Sequence, residues 1–178
     1  MKIYYMALIL SGFLGIIPSQ VLAATDEISG SGTVTDVIIS DNILWTTLRT
    51  VNHTVNGGTG TNDCMVVASA DVTNPGASTE KQYLFTITRN NTGNNNPPLG
   101  ENGTATRTLG FVDNPGVDDI NTSPVSTNAV FTGLTSTNGN AGGNQHTFYF
   151  LGKKKTSTSP APDATVEDSR IDVVCVDR

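Results

Sequence analysis

Two cysteines constrain this 178-residue chain more than any other feature. Cys175 lies in the final apolar run, 170–177, where β-branched residues bracketed by charges predict a β-strand. Cys64 opens a similar run, 64–70. Because two cysteines in an exported chain pair more often than they stay free, the sequence predicts a disulfide between Cys64 and Cys175, with two buried thiols as the alternative.

The first 23 residues predict export. Lys2 precedes an apolar stretch that ends at Pro18, and the sequence Val21-Leu22-Ala23 follows, a Val-x-Ala end of the kind that signal peptidase cleaves. This pattern is typical of a cleaved secretory signal peptide. The alternative is an uncleaved membrane anchor, but the apolar stretch is shorter than the roughly 20 residues of a spanning helix. We therefore expect a mature protein without a membrane span that is secreted or extracytoplasmic, in the periplasm or on the cell surface if the source is bacterial.

The charge balance argues against nucleic acid as a partner. The chain has 10 basic and 16 acidic residues, a formal net charge of −6, and the signal peptide removes one of the basic residues. An acidic chain is repelled by phosphate backbones and by anionic membrane surfaces. Charged residues make up only 15% of the chain, so its polarity comes mainly from Thr, Ser, Asn and Gly, which favour turns and the solvent side of strands.

Short apolar or alternating segments separated by turn residues predict about eight β-strands and no long helix. A turn sequence, Asn56-Gly57-Gly58, follows the second of them, and we expect a hairpin between 43–55 and 64–72. The predicted strands are 34–39, 43–55, 64–72, 83–88, 104–112, 125–134, 145–151 and 170–177.

This pattern predicts an all-β fold. We expect one domain over residues 33–178, an antiparallel β-sandwich of the jelly-roll or Greek-key kind, preceded by a flexible leader at 24–32. A closed barrel fits the same periodicity. A bridge from Cys64 to the last strand favours a Greek-key return over a simple meander.

An acidic loop at 113–121 is the candidate metal site. Asp113, Asn114, Asp118 and Asp119 offer hard oxygen ligands of the kind that calcium prefers. The alternative is an ordinary turn with solvated carboxylates, since Asn-Pro-Gly is itself a turn sequence. No other cofactor is indicated.

The sequence predicts no catalytic residue. His53 and His146 are the only histidines, both lie in predicted strands, and no nucleophile-elbow sequence accompanies them. A packing role is therefore expected for both. Of the large aromatic side chains, we expect Trp45, Phe85 and Phe150 in the core and Tyr149 facing outward.

Two functions from different classes lead, and an enzyme that uses His53 or His146 is the third alternative. The first is a secreted or surface-associated, non-enzymatic protein with a structural, adhesive or assembly role, whose partners are further copies of itself or surface glycans. The second is an extracellular carbohydrate-binding jelly-roll module stabilised by calcium. The sequence assigns no ligand-binding residue to either function.

Overall fold

The computed structural model describes residues 27–32, 35–56, 60–74, 81–90, 107–111, 121–155 and 163–178. The predicted signal peptide, residues 1–23, lies outside them. Within this part of the chain no helix has the length and apolar character needed to cross a bilayer. The described residues form one 3-10 turn, Asn140–Gly142, and nine strands: β1 (Glu27–Gly32), β2 (Val37–Ile39), β3 (Thr46–Thr54), β4 (Asn62–Asn74), β5 (Lys81–Arg89), β6 (Arg107–Phe111), β7 (Asn121–Leu134), β8 (Gln145–Lys154) and β9 (Ala164–Asp177).

These strands form two antiparallel sheets, so the all-β prediction is confirmed. Sheet A has the order β1-β9-β4-β7, with β2 also paired to β9, and sheet B has the order β3-β8-β5-β6. The predicted hairpin between 43–55 and 64–72 is wrong, because β3 pairs with β8 in sheet B and β4 lies between β9 and β7 in sheet A. A turn sequence reverses the chain, but it does not decide which strand lies alongside.

One buried apolar cluster takes side chains from both sheets. The period-two alternation of β4 directs every second residue into it, namely Cys64, Val66, Ala68, Ala70 and Val72. The two sheets meet directly where Phe131 of β7 packs on Phe148 of β8, with ring centroids 5.1 Å apart. The inner faces of the sheets therefore share one core.

A β-bulge in β3 interrupts the alternation of this strand. Alternation places Leu48 and Arg49 on opposite sides, yet both are buried. The register with β8 shifts between Thr47 and Arg49, which leaves Leu48 without a partner on β8. The extra residue bends the strand and turns two successive side chains inward.

A second bulge divides β9 into two halves. Against β4, Asp168 and Ser169 together oppose a single residue, and Asp168 has a φ of 44°. Before the bulge β9 pairs with β2, and after it β9 pairs with β1. The composition predicts a flexible leader at 24–32, but residues 27–32 form β1. The main chain of these residues pairs with β9, and composition does not report such pairing.

Candidate functional site

The outer face of sheet A carries apolar residues that lie next to one another. Met65 of β4 is directly opposite Val130 of β7 on one side and Val174 of β9 on the other. Val67 and Val176 lie two residues further along their strands, on the same side of the sheet. We name Met65, Val67, Val130, Val174 and Val176 the apolar stripe.

The stripe is open to solvent. Val130 is 50% exposed, Met65 48%, Val176 42% and Val67 37%, and Val174 is half-buried. An antiparallel sheet with one solvated face normally alternates apolar and polar residues, so exposed positions next to one another are usually polar. Scattered exposed valines are ordinary, but a contiguous apolar patch marks a surface that contacts another molecule.

Two ion pairs flank the stripe. Asp63 is opposite Val176 in the register, and its carboxylate lies 2.5 Å from Nη2 of Arg178. Asp172 is opposite Val67, and its carboxylate lies 2.7 Å from Nε of Arg170. Each acidic group next to the stripe is therefore compensated by an arginine of its own chain. Exposed pairs of this kind add little stability, but they leave both flanks electrically neutral.

A shallow cleft of about 320 Å³ opens further along β4 on the same sheet. It lies beside the bulge of β9, whose Asp168 lines it. Its polar groups are two carboxylates and two hydroxyls, those of Asp71, Asp168, Ser69 and Ser126. These groups can form hydrogen bonds, but no buried polar atom among them points to a particular ligand.

The two histidines lie directly opposite each other on β3 and β8, and both are buried. Nε2 of His146 lies 3.0 Å from the carbonyl oxygen of Thr135. Because a carbonyl only accepts, this nitrogen donates the hydrogen bond. His53 lies on the inner side of its strand, close to the two cysteines. Their burial within strands fits the packing role that the sequence predicts.

The predicted disulfide is confirmed, and it lies within one sheet. Cys64 and Cys175 are directly opposite each other on β4 and β9 and are joined through their sulfurs. Among the described residues, these two and His53 form a group of three side chains with ligand atoms within 4.8 Å of one another. Both sulfurs belong to the bridge, so only the imidazole of this group retains a lone pair suited to a metal ion.

The candidate calcium ligands Asp113, Asn114, Asp118 and Asp119 lie outside the described residues. The prediction of a calcium site in this loop stays a prediction.

The aromatic side chains predicted for the core are there. Trp45 is 8% exposed, and Nζ of Lys153 lies 4.7 Å from the centroid of its ring. Phe85 and Phe150 are fully buried with centroids 6.0 Å apart. Tyr149 is half-buried. None of the aromatic rings among the described side chains is exposed, so this part of the chain offers no open platform for stacking a sugar.

Sequence reasoning missed the apolar stripe, although the signal was present. Residues 64–68 and 173–176 are apolar without interruption, which in a strand means apolar side chains on both faces. In the sequence, both runs indicate strands but not which other strands lie beside them. No protein-family model and no curated protein sequence matches the chain. The stripe is therefore identified by its geometry alone.

Proposed function

We propose that this chain is a secreted or surface-associated, non-enzymatic β-sandwich protein with a structural, adhesive or assembly role, and that it acts through the apolar stripe. The observation that carries the proposal is the exposure of Met65 between Val130 and Val174, directly opposed in the register. Burying apolar surface is favourable by roughly 25 cal/mol per Å². A partner that covers the stripe gains this energy.

The sandwich architecture is supported by the shared core. Apolar side chains on the inner sides of sheets A and B contact each other, as in face-to-face packing. The pairing of β4 with β9, distant in the sequence, supports a Greek-key return. The disulfide supports an oxidising, extracytoplasmic location.

The structural or adhesive role is tested by measuring how the exported protein divides between the cell-bound fraction and the medium. The full chain, with its signal, is produced in a secreting host, and the protein in the cell-bound or sedimentable fraction is compared with the protein free in the medium. We expect Met65→Lys to move the protein into the medium several-fold, because a charge on the stripe opposes burial. Thr54→Lys on the exposed side of β3 is the control. Equal partition of the two variants would argue against the stripe as the functional surface.

The carbohydrate-binding alternative gains no support from the described aromatic side chains. Trp45 is buried beneath Lys153, and Tyr149 is only half-exposed. Sugar stacking needs an accessible ring face. Assembly or adhesion through aliphatic side chains is therefore the function we favour.

A further inference from the structure

We infer that the partner of the apolar stripe is a second copy of this chain, packed face to face on sheet A. The inference rests on the proposed function and adds the identity of the partner. The stripe lies on the four-stranded part of the sheet, where β1, β9, β4 and β7 run side by side. Three features favour a second copy over a different protein: the symmetry of the stripe, the charges beside it and its area.

The residues on this surface are arranged with local two-fold symmetry about an axis perpendicular to the sheet. Because β4 and β9 are antiparallel and Met65 is opposite Val174, the axis between these two residues relates Val67 to Val176. It also relates Asp63 to Asp172. Four of the apolar residues thus lie along one diagonal of the sheet, with one carboxylate on either side of it, and Val130 lies beside the diagonal on β7.

An interface between identical copies uses the same patch twice, so the patch must be complementary to itself. In the proposed dimer, a two-fold axis parallel to this diagonal relates the two copies, so the apolar side chains of one copy pack on those of the other. With about 4.8 Å between strands and a rise of about 3.3 Å per residue, the diagonal is inclined by roughly 20° to the strands. Because the two-fold axis runs along the diagonal, the strands of the two copies cross at twice this angle, roughly 40°. This is near the roughly 30° of aligned sheet packing.

The charges beside the stripe permit this contact. Asp63 is paired with Arg178, and Asp172 is paired with Arg170, all within one chain. A second copy therefore brings no net charge against the first, although the whole chain is acidic. Neither flank presents a single-sign charge that calls for a basic or an acidic partner.

The face is large enough for a weak, specific dimer. Sheet A is four strands wide along the six residues of β1 and three strands wide beyond them. At ideal spacings, two such faces that cross at roughly 40° overlap over about 500 Å² each. Together they bury about 1,000 Å², the lower end for a specific protein interface.

The test is the oligomeric state of the mature, oxidised chain, measured by sedimentation equilibrium between about 1 and 100 μM. We expect the wild-type mass to approach that of a dimer as concentration rises. Met65→Lys and, on the edge strand, Val130→Lys each raise the dissociation constant roughly tenfold or more. Thr54→Lys on sheet B leaves it unchanged. Circular dichroism and the thermal midpoint of each variant establish that it is folded.

A mixing experiment tests the face-to-face geometry. About the proposed axis, the two copies of residue 65 face each other across the interface, offset within the plane of the sheets by about one strand spacing. Copies carrying Met65→Lys and copies carrying Met65→Glu are therefore monomeric alone and associate when mixed. A wild-type monomer over the whole range overturns the inference, while the partition experiment in the secreting host still tests the proposed function. A wild-type dimer that both stripe variants leave intact also overturns it.

Discussion

Gly152 of β8 and Ile39 of β2 meet across the gap between the two sheets. A β-carbon added at Gly152 would lie 2.7 Å from Cδ1 of Ile39, and Leu48 and Phe85 would lie 3.2 and 3.3 Å from it. All three neighbours are buried. The missing side chain at position 152 therefore sets how closely the sheets approach at this point.

We predict that Gly152→Ala lowers the free energy of unfolding by about 1–3 kcal/mol, because an extra methyl group in a filled core forces its neighbours off their preferred rotamers. Urea unfolding of the two proteins measures the difference. The matched control is Gly60→Ala, where the nearest atom to an added β-carbon is 3.8 Å away.

The clash is assigned to Ile39 by a double variant. Ile39→Val removes the atom that lies closest to the added methyl group, so it should cost less in the Gly152→Ala background than alone. Strictly additive losses would mean that the contact with Ile39 is not the cause.

Arg49 is a buried guanidinium that links the two sheets. Its Nε donates to the carbonyl of Ser169 at 3.0 Å, in the bulge of β9, and its Nη2 donates to the carbonyl of Thr35 at 3.2 Å. Burial lowers the pKa of Arg49, which nevertheless stays protonated because an arginine starts so high. The bulge leaves a carbonyl without a partner in the ladder, and this side chain supplies the donor.

We predict that Arg49→Leu lowers the free energy of unfolding by about 2–4 kcal/mol, since buried carbonyls lose a charged donor. Chemical unfolding monitored by circular dichroism measures the loss. Arg170→Leu removes an exposed arginine whose ion pair contributes at most about 1 kcal/mol. If the two variants lose the same stability, the hydrogen bonds of Arg49 are not what holds the bulge.

The sequence predicted the strands better than their pairing. Residues 83–88 fall within β5, and residues 145–151 fall within β8, because alternation reports which side chains share a face. Alternation says nothing about the neighbouring strand, so β3 and β4 were paired wrongly. The bulge at Leu48 was equally hidden, because an inserted residue is defined by the register with β8.

The candidate site shows the same limit. The apolar character of Met65 and Val67 is plain in the sequence, but their adjacency to Val130 and Val174 depends on a three-strand register. Cys64 and Cys175 could be predicted as a pair because only two cysteines are present. Their position within one sheet, directly opposite each other, could not.

We predict that removing the disulfide with Cys64→Ala and Cys175→Ala together lowers the free energy of unfolding by about 2–5 kcal/mol. The bridge joins residues 111 apart in the sequence, so it restricts a large part of the unfolded chain. Unfolding in urea measures the loss. Wild-type protein in a thiol reductant should lose a similar amount. A reduced protein as stable as the oxidised one would show that the bridge contributes little.

We predict that stability falls as the pH rises above 10, because of Tyr83. Burial, and then the negative charge of Asp163, raise the pKa of Tyr83 to about 12 from its ordinary 10. Above pH 10 the unfolded chain releases the phenolic proton and the folded chain keeps it. The contribution of Tyr83 to stability is therefore complete below pH 10 and is lost between pH 10 and about 12.

Tyr83→Phe separates this effect from the titration of lysines in the same range. The variant keeps the buried ring and lacks the ionisable hydroxyl, so its urea midpoint should fall less than that of the wild type over this interval. The difference in phenolate absorbance between the wild type and Tyr83→Phe gives an independent titration of Tyr83. If Tyr83 ionises at the ordinary tyrosine pKa of 10, or if both proteins lose stability equally, the buried phenol is not the source of the alkaline loss.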